Sequence, residues 1–373
     1  MNRYNFSWTG YETVYYLTMK SLLELRILLR LQLQIPVLTN FKVIFELRAT
    51  FDWLLPQLAP FLTKPEGVKV KRQTDSEKQL LAVLWLLGTQ DSYRSVGNRF
   101  DMSKSTLFAS FGRCIAALNS ITPNIITWPT RQQRQLIKHQ FRQMANLRGV
   151  VGAIDGTYIK IKAPIENPEV NINRKCFHGV TLQAICLSTL AFTDCFVGYP
   201  SSVSDVRVFS NSDIYTEFVN NNGNYFEVDE HIIGDKAYPL HNWCIPPFID
   251  RGRLRERQIS FNTAHAQTRR VIERAFALLF GRFRRLRDLD MNRIDLIPAT
   301  IIAACTLHNI CLMREDELII QYVNEGRAHV DNEEQVVQIP APEPIPEQIL
   351  LRAVAMQKRD QLSIEVHERR NLN

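Results

Sequence analysis

The seven cysteines of this 373-residue chain form no Cys-x-x-Cys pair, and their number is odd. Cys114, Cys176, Cys186, Cys195, Cys244, Cys305 and Cys311 are scattered, mostly inside apolar runs. That excludes a paired-cysteine zinc site, argues against a disulfide framework and fits reduced thiols of the cytosol or nucleus. Also missing is a charge-poor run of the roughly 20 residues a bilayer span requires. The nearest, Tyr15 to Leu38, is interrupted by Lys20, Glu24, Arg26 and Arg30. Its Leu22, Leu25, Leu29 and Leu33 recur at helical spacing, so we expect an amphipathic packing helix and no membrane partner. No apolar core followed by a small-residue cleavage site marks a secretory signal.

What is present is the balance of a globular protein, 45% hydrophobic and 22% charged. The length allows two domains with cores of their own. The net charge of +7 favours a polyanionic partner. Residues 1–45 carry no usable motif and read as an extension. The basic run Lys69 to Arg72 reads as a solvated loop, a nuclear-localisation element or a phosphate contact.

Residues 46–125 read as helical. Thr74-Asp75-Ser76-Glu77 predicts a capping box before the helix face Leu80, Leu81, Leu84 and Leu87. Ser92 to Phe100 predicts a second short helix, Asp101-Met102 a turn, and Ser103 the N-cap of a third helix from Lys104 to about Leu118. Three helices with a tight turn before the third follow the helix-turn-helix plan, and Asp101 tolerates the left-handed backbone such a turn needs. Lys104, Ser105 and Arg113 are then the candidate DNA contacts. A plain three-helix packing unit stays open, because Lys104 and Arg113 are the third helix's cations. Residues 126–147 read as a polar connector.

From residue 148 the pattern changes to strands. Val150, Val151 and Ile154 are apolar, Asp155-Gly156 breaks the run, and Thr157 to Ile161 alternates. This predicts two strands of a hairpin joined at Asp155, with the acid as a turn residue or as a site. Val180 to Leu187 and Ala191 to Val197 predict two more strands, making a four-strand meander. Asp205 is placed to cap a helix from about Val206 to Phe218. A second apolar strand ends at Asp235. Residues 240–260 look irregular and hold Arg251, Arg253, Arg255 and Arg257. A helix from about Asn262 to Arg285 buries Ile272, Ala275, Phe276, Leu279 and Phe283, with Glu273 at the edge of that stripe. A last apolar helix is expected from Ile297 to Met313. His308 and Cys305 lie in it, where a satisfied core histidine is the simpler reading than a metal pair. Residues 315–373 form a polar, partly disordered tail, with a helix near Ile349 to Ile364.

Asp155, Asp235 and Glu273 thus end two strands and edge a helix that packs on their sheet. Three gathered carboxylates repel one another unless a cation compensates them. Such oxygen-rich sites suit Mg2+ or Mn2+, and metal ions held there can activate water against a phosphodiester. Asp205 is a fourth candidate ligand.

The motifs Val151 to Thr157, Asn173-Arg174-Lys175 with Phe177-His178, Gly198 to Pro200 with Ser204 to Phe209, Gly234 to Pro239, Asn262 with Arg269 to Phe276, and Leu307 to Asn309 stand in one order. Together they resemble a PIF/Harbinger-type DDE transposase, or a nuclease derived from one, over residues 45–315. The resemblance implies an α+β chain: an RNase H-like mixed-sheet DDE nuclease domain at 148–314 behind the all-α domain. By position it implies catalytic Asp155, Asp235 and Glu273, the same three with Asp205 as metal ligands, and a divalent Mg2+ or Mn2+ ion. It implies DNA as substrate, a Myb-like helper protein and a nuclear location, and it leaves homo-oligomers open. Arg269, Arg270 and Arg284 are the expected phosphate contacts near Glu273. Two departures stand out, Tyr158 and Ser204, where the family often has His. The alternative is a catalytically silent DNA-binding or scaffold protein.

Overall fold

A computed structural model of the chain describes residues 48–63, 74–173, 175–314, 319–330 and 346–371. The leucine-spaced segment 22–33, the basic run 69–72 and Arg174 lie outside them. Residues 47–373 form one compact unit.

Among the described residues the first elements are four helices: α1 (Arg48–Leu62), α2 (Ser76–Gly88), α3 (Tyr93–Arg99) and α4 (Lys104–Ile125). Ser103 caps α4 by accepting from the Thr106 amide, and Asp101 takes a positive φ of 49°, as expected of the turn before it. Gly97 lets the turn close, because a Cβ there would lie 2.6 Å from the Met102 carbonyl oxygen. The capping box at Thr74 to Glu77 does not form. Asp75 holds the N-cap position without a side-chain bond, and the Thr74 carbonyl instead accepts from Gln79. Helix α4 runs past Leu118 to Ile125, and Asn119 and Thr122 on its extension bond to Ala299 and Thr306. The connector carries α5 (Arg131–Ala145), closed by a Thr130–Gln133 capping box.

Five strands follow: β1 (Val150–Lys160), β2 (Gly179–Cys186), β3 (Phe192–Pro200), β4 (His231–Ile233) and β5 (Cys244–Ile245). The hairpin expected at Asp155-Gly156 is absent. Such a turn needs positive φ at one or both central residues. Neither residue has it, and β1 pairs with β2 without a shift from Ala153 to Lys160. The meander therefore has three strands, and Asp155 sits inside the first, opposite Ala184. The sheet order is β3-β2-β1-β4-β5, antiparallel among the first three strands and parallel from β1 through β4 to β5.

One face is covered by α6 (Asp205–Ser210), α7 (Asp213–Asn220) and the one-turn α8 (Asn222–Tyr225). Phe209 and Phe218 there pack on Val151, Ile154, Ile185 and Ile232. The single helix expected from Val206 to Phe218 is broken because Ser212 starts a new one, accepting from the Tyr215 amide. The other face takes α9 (Glu256–Arg282) and α10 (Leu296–Met313), with Phe276 and His308 against Phe192. Helix α9 begins six residues before the expected Asn262, because Gln258 caps the Arg255 amide. Helix α10 is apolar and long enough to cross a membrane, yet 67% of it is buried inside the fold.

His308 is a core histidine, as expected, but only one of its two ring nitrogens finds a partner among the described residues. Its Nε2 lies 2.9 Å from the Leu190 carbonyl, and burial pushes its pKa down to about 3. Asn309 exchanges two hydrogen bonds with the backbone of Phe192, at 2.8 and 2.7 Å. The Leu307-His308-Asn309 motif is thus a staple between α10 and β3.

The tail is partly helical. Helix α11 (Ile319–Val330) lies on α9 at backbone contact distance: a Cβ on Gly281 would meet Tyr322 O at 1.9 Å, and one on Gly326 would meet Ala277 O at 1.7 Å. Helix α12 (Pro346–Asn371) contains the segment expected at 349–364. Its Lys358 donates to the carbonyls of Val228 and Glu230, ahead of β4, and of Asn242, ahead of β5.

Candidate active site

Asp155 is held mid-strand, and its Oδ1 accepts from the Gly156 amide at 2.9 Å. Its Oδ2 accepts from Nη1 of Arg269 on α9. The same guanidinium donates from Nη2 to Glu273 Oε1 at 2.7 Å, one helical turn away. Arg269 therefore bridges the first and third acids of the expected triad. Burial alone would lower the arginine's pKa, but Asp155, Glu273 and Asp235 attract its charge strongly enough to hold it above the ordinary value. The side chains of Asp155, Arg269 and Glu273 stay 18%, 24% and 37% exposed, open enough for a substrate or cation to reach them.

Asp235 lies two residues past β4, in a turn where its Oδ1 accepts from the Ala237 amide at 2.8 Å. Behind it stands Tyr238, buried against Gly234. A Cβ on Gly234 would meet the Tyr238 ring at 2.8 Å. Burial drives the phenol well above its usual pKa, and the charges of Asp205, Asp155 and Asp235 add to the effect. One buried ring thus feels three of the four predicted acids. Its hydroxyl accepts from Gln183 Nε2 at 3.0 Å, and the same amide group donates to the Asp205 backbone carbonyl at 3.2 Å. Gln183 and Tyr238 were not singled out from sequence as site residues. The available signal was a glutamine within the apolar run of 180–187.

Asp205 occupies the first turn of α6, with Ser204 at the N-cap position expected of it. Its Oδ1 lies 2.5 Å from where a Gly156 Cβ would be. Successive strand residues point to opposite faces. Asp205 therefore approaches β1 from the α6 side, whereas Asp155 reaches toward α9. Among the described residues no three Asp, Glu, His or Cys side chains converge as a ready ligand group. The geometry gives the reason: Arg269 stands between Asp155 and Glu273, and Asp205 comes from the other face.

Of the predicted DNA contacts, Arg269 and exposed Arg270 lie beside the acids. Arg284 is turned away and paired with Glu325 of α11 at 2.7 Å. Arg113 donates to Gln79 Oε1 at 2.7 Å, within the helical packing. Lys104 and Ser105 are exposed at the start of α4. Ser204 holds the N-cap position of α6 without a side-chain bond, and half-buried Tyr158 lies on β1.

Residues 154–309 match the family described as "DDE superfamily endonuclease". Those residues form a DDE endonuclease domain, and the similar proteins are Harbinger transposase-derived. The chain is similar to the Arabidopsis thaliana "Protein ALP1-like", 27% identical over 75% of this chain and 72% of that one. It is also similar to the Rattus norvegicus protein named "Putative nuclease HARBI1", 28% identical over 70% of this chain and 73% of that one. No solved structure matches. The matched DDE segment opens one residue before Asp155 and ends at Asn309, so it spans all four acids and the α10 staple.

Proposed function

We propose that the chain is a divalent-metal-dependent DNA endonuclease acting through Asp155, Asp235 and Glu273. The observation that carries the reading is the Arg269 guanidinium seated between Asp155 and Glu273. A cation at that point is what clustered carboxylates require. The sheet order β3-β2-β1-β4-β5, with acids on the central strand, after its parallel neighbour and on the covering helix, supports an RNase H-like fold.

The donor set fits Mg2+ or Mn2+: hard carboxylate oxygens, partly exposed, with no thiolate or imidazole among them. Asp155 and Asp235 would hold the ion, with Glu273 joining from α9, and Asp205 stays on the α6 side of the sheet. The bound ion supplies an activated water and charge stabilisation for phosphodiester hydrolysis. The chain's own residues position it. The β1–β2 ladder fixes Asp155, the Asp235 turn fixes the second acid, and Tyr238 with Gln183 ties Asp205 to β2. Arg269 and Arg270 hold the phosphate backbone, and Lys104 and Ser105 on α4 present a helix-turn-helix surface to duplex DNA.

A nicking assay on supercoiled DNA with Mg2+ or Mn2+ tests the reading. Wild-type protein should nick and Asp155→Asn should fall by at least about 100-fold, the scale of losing one electrostatic contact to the transition state. Equal activity in both removes Asp155 from the mechanism. Wild-type DNA binding without cleavage in either metal favours the silent scaffold.

A further inference from the structure

The solvent-facing side of α9 carries a row of arginines, of which the proposed site uses only Arg270. Arg251, Arg253 and Arg255 are exposed on the segment entering the helix, and Arg270 and Arg274 are exposed further along it. Among the described residues none of these five forms an ion pair. That sets them apart from Arg131, Arg134, Arg269, Arg284 and Arg293, which all do. The helix surface between the two groups is formed by exposed Ile259, Ala266 and Gln267, with Glu256 the one exposed acid, directly after Arg255. At 3.6 residues per turn, Arg255 and Glu273 are about five turns apart and lie on the same side of α9, separated by about 27 Å.

We infer that this stripe is a track for the phosphate backbone of duplex DNA, running from the acids to the 251–255 segment. The inference rests on the endonuclease reading and adds a requirement for duplex on one flank of the cut site. The chemistry that fits is a regular polyanion. Unpaired guanidiniums form bidentate bonds with phosphate oxygens, and a row of them meets the regularly repeating charges of a duplex. About 27 Å corresponds to about eight base pairs at 3.4 Å each. The substrate should therefore need about eight base pairs of duplex beyond the scissile bond on the side over α9.

The test compares wild-type protein, R251A/R253A/R255A and a charge-matched control, R142A/R327A/R352A, whose three arginines are exposed on α5, α11 and α12. Binding to 30-base-pair DNA duplexes is measured in EDTA across a salt series, and cleavage of duplexes with short or long flanks is measured in Mn2+. The track variant should lose about 0.9 of salt slope for each arginine that touches a phosphate, close to 2.7 in total. It should also cleave short-flank and long-flank duplexes equally, whereas wild type prefers the long flank. The control should keep the wild-type slope and flank preference. Equal losses in both variants would reduce the effect to net charge and overturn the track, as would a track variant with wild-type slope. Tighter binding of an RNA duplex than of DNA would overturn the choice of polymer. Wild-type protein that binds duplex through these arginines but never cleaves would overturn the endonuclease reading and leave the track standing.

Discussion

Replacing Arg269 by glutamine removes the cation between Asp155 and Glu273 while keeping much of the side chain's bulk. Two charge-assisted hydrogen bonds disappear, to Asp155 Oδ2 and to Glu273 Oε1. A bond to a charged group contributes about 1.5–3 kcal/mol when well shielded. These groups are partly exposed, so solvent screening lowers the loss to about 1–3 kcal/mol for the pair together. For a cooperative unit of this size, about 1 kcal/mol moves Tm by about 1.5–2 °C. Arg269→Gln should therefore melt about 2–5 °C below wild type in EDTA at neutral pH. Saturating Mn2+ should raise the variant's Tm more than the wild type's, because the ion no longer competes with a guanidinium. A tenfold tighter Kd adds about 1.4 kcal/mol of linkage stabilisation. Differential scanning fluorimetry with and without Mn2+, paired with calorimetric titration of the ion, reads both effects. An unchanged Tm in EDTA together with an unchanged Mn2+ shift would refute the idea that Arg269 compensates the acid cluster.

Gly281→Ala should separate α11 from α9, since its Cβ would fall 1.9 Å from the Tyr322 carbonyl oxygen. We expect a loss of about 1–3 kcal/mol in urea denaturation and faster hydrogen exchange confined to α11; wild-type stability would contradict the close helix contact. Asp194 is pushed up to about 7, first by burial and then by Asp213, against an ordinary value of 3.8. Its contribution is fully present below about pH 4 and is lost as pH rises through 7. Asp194→Asn should match wild type at pH 4 and exceed it by about 1–3 kcal/mol at pH 8, and a variant no more stable at pH 8 would show that Asp194 ionises freely. Lys104→Glu should weaken duplex binding with no change in Tm, because the side chain is exposed at the start of α4. Unchanged affinity would remove α4 from the DNA surface.

Much of the site was legible because its acids mark pattern breaks. Asp155 interrupts an apolar run, Asp235 follows one, and Glu273 edges a buried stripe. The sequence pattern misled where local chemistry offered two answers. Asp155-Gly156 carries a hairpin signal, but β2 supplies an unbroken eight-residue partner that keeps β1 extended. Thr74 to Glu77 matches a capping box, yet Gln79 takes the Thr74 carbonyl. Long-range pairings had no local signature at all. Nothing near Arg269 in sequence announces Asp155, 114 residues away. Nor does Glu325 announce Arg284. The tail read as polar because its helices are amphipathic, and their apolar sides show only when α9 and the β4 flank are in place.

The unshifted β1–β2 ladder makes the strand that carries Asp155 intolerant of changes in length. Alternate residues of β1 face α6 and α9, so deleting or inserting one residue between Val150 and Asp155 would exchange the two sides of the strand. The carboxylate would be driven into the aromatic cluster around Phe209, and Ile154 or Gly156 would face Arg269. β1 can therefore vary in what it carries at its exposed end, but the count of residues from Val150 to Asp155 has to stay constant for the site to exist.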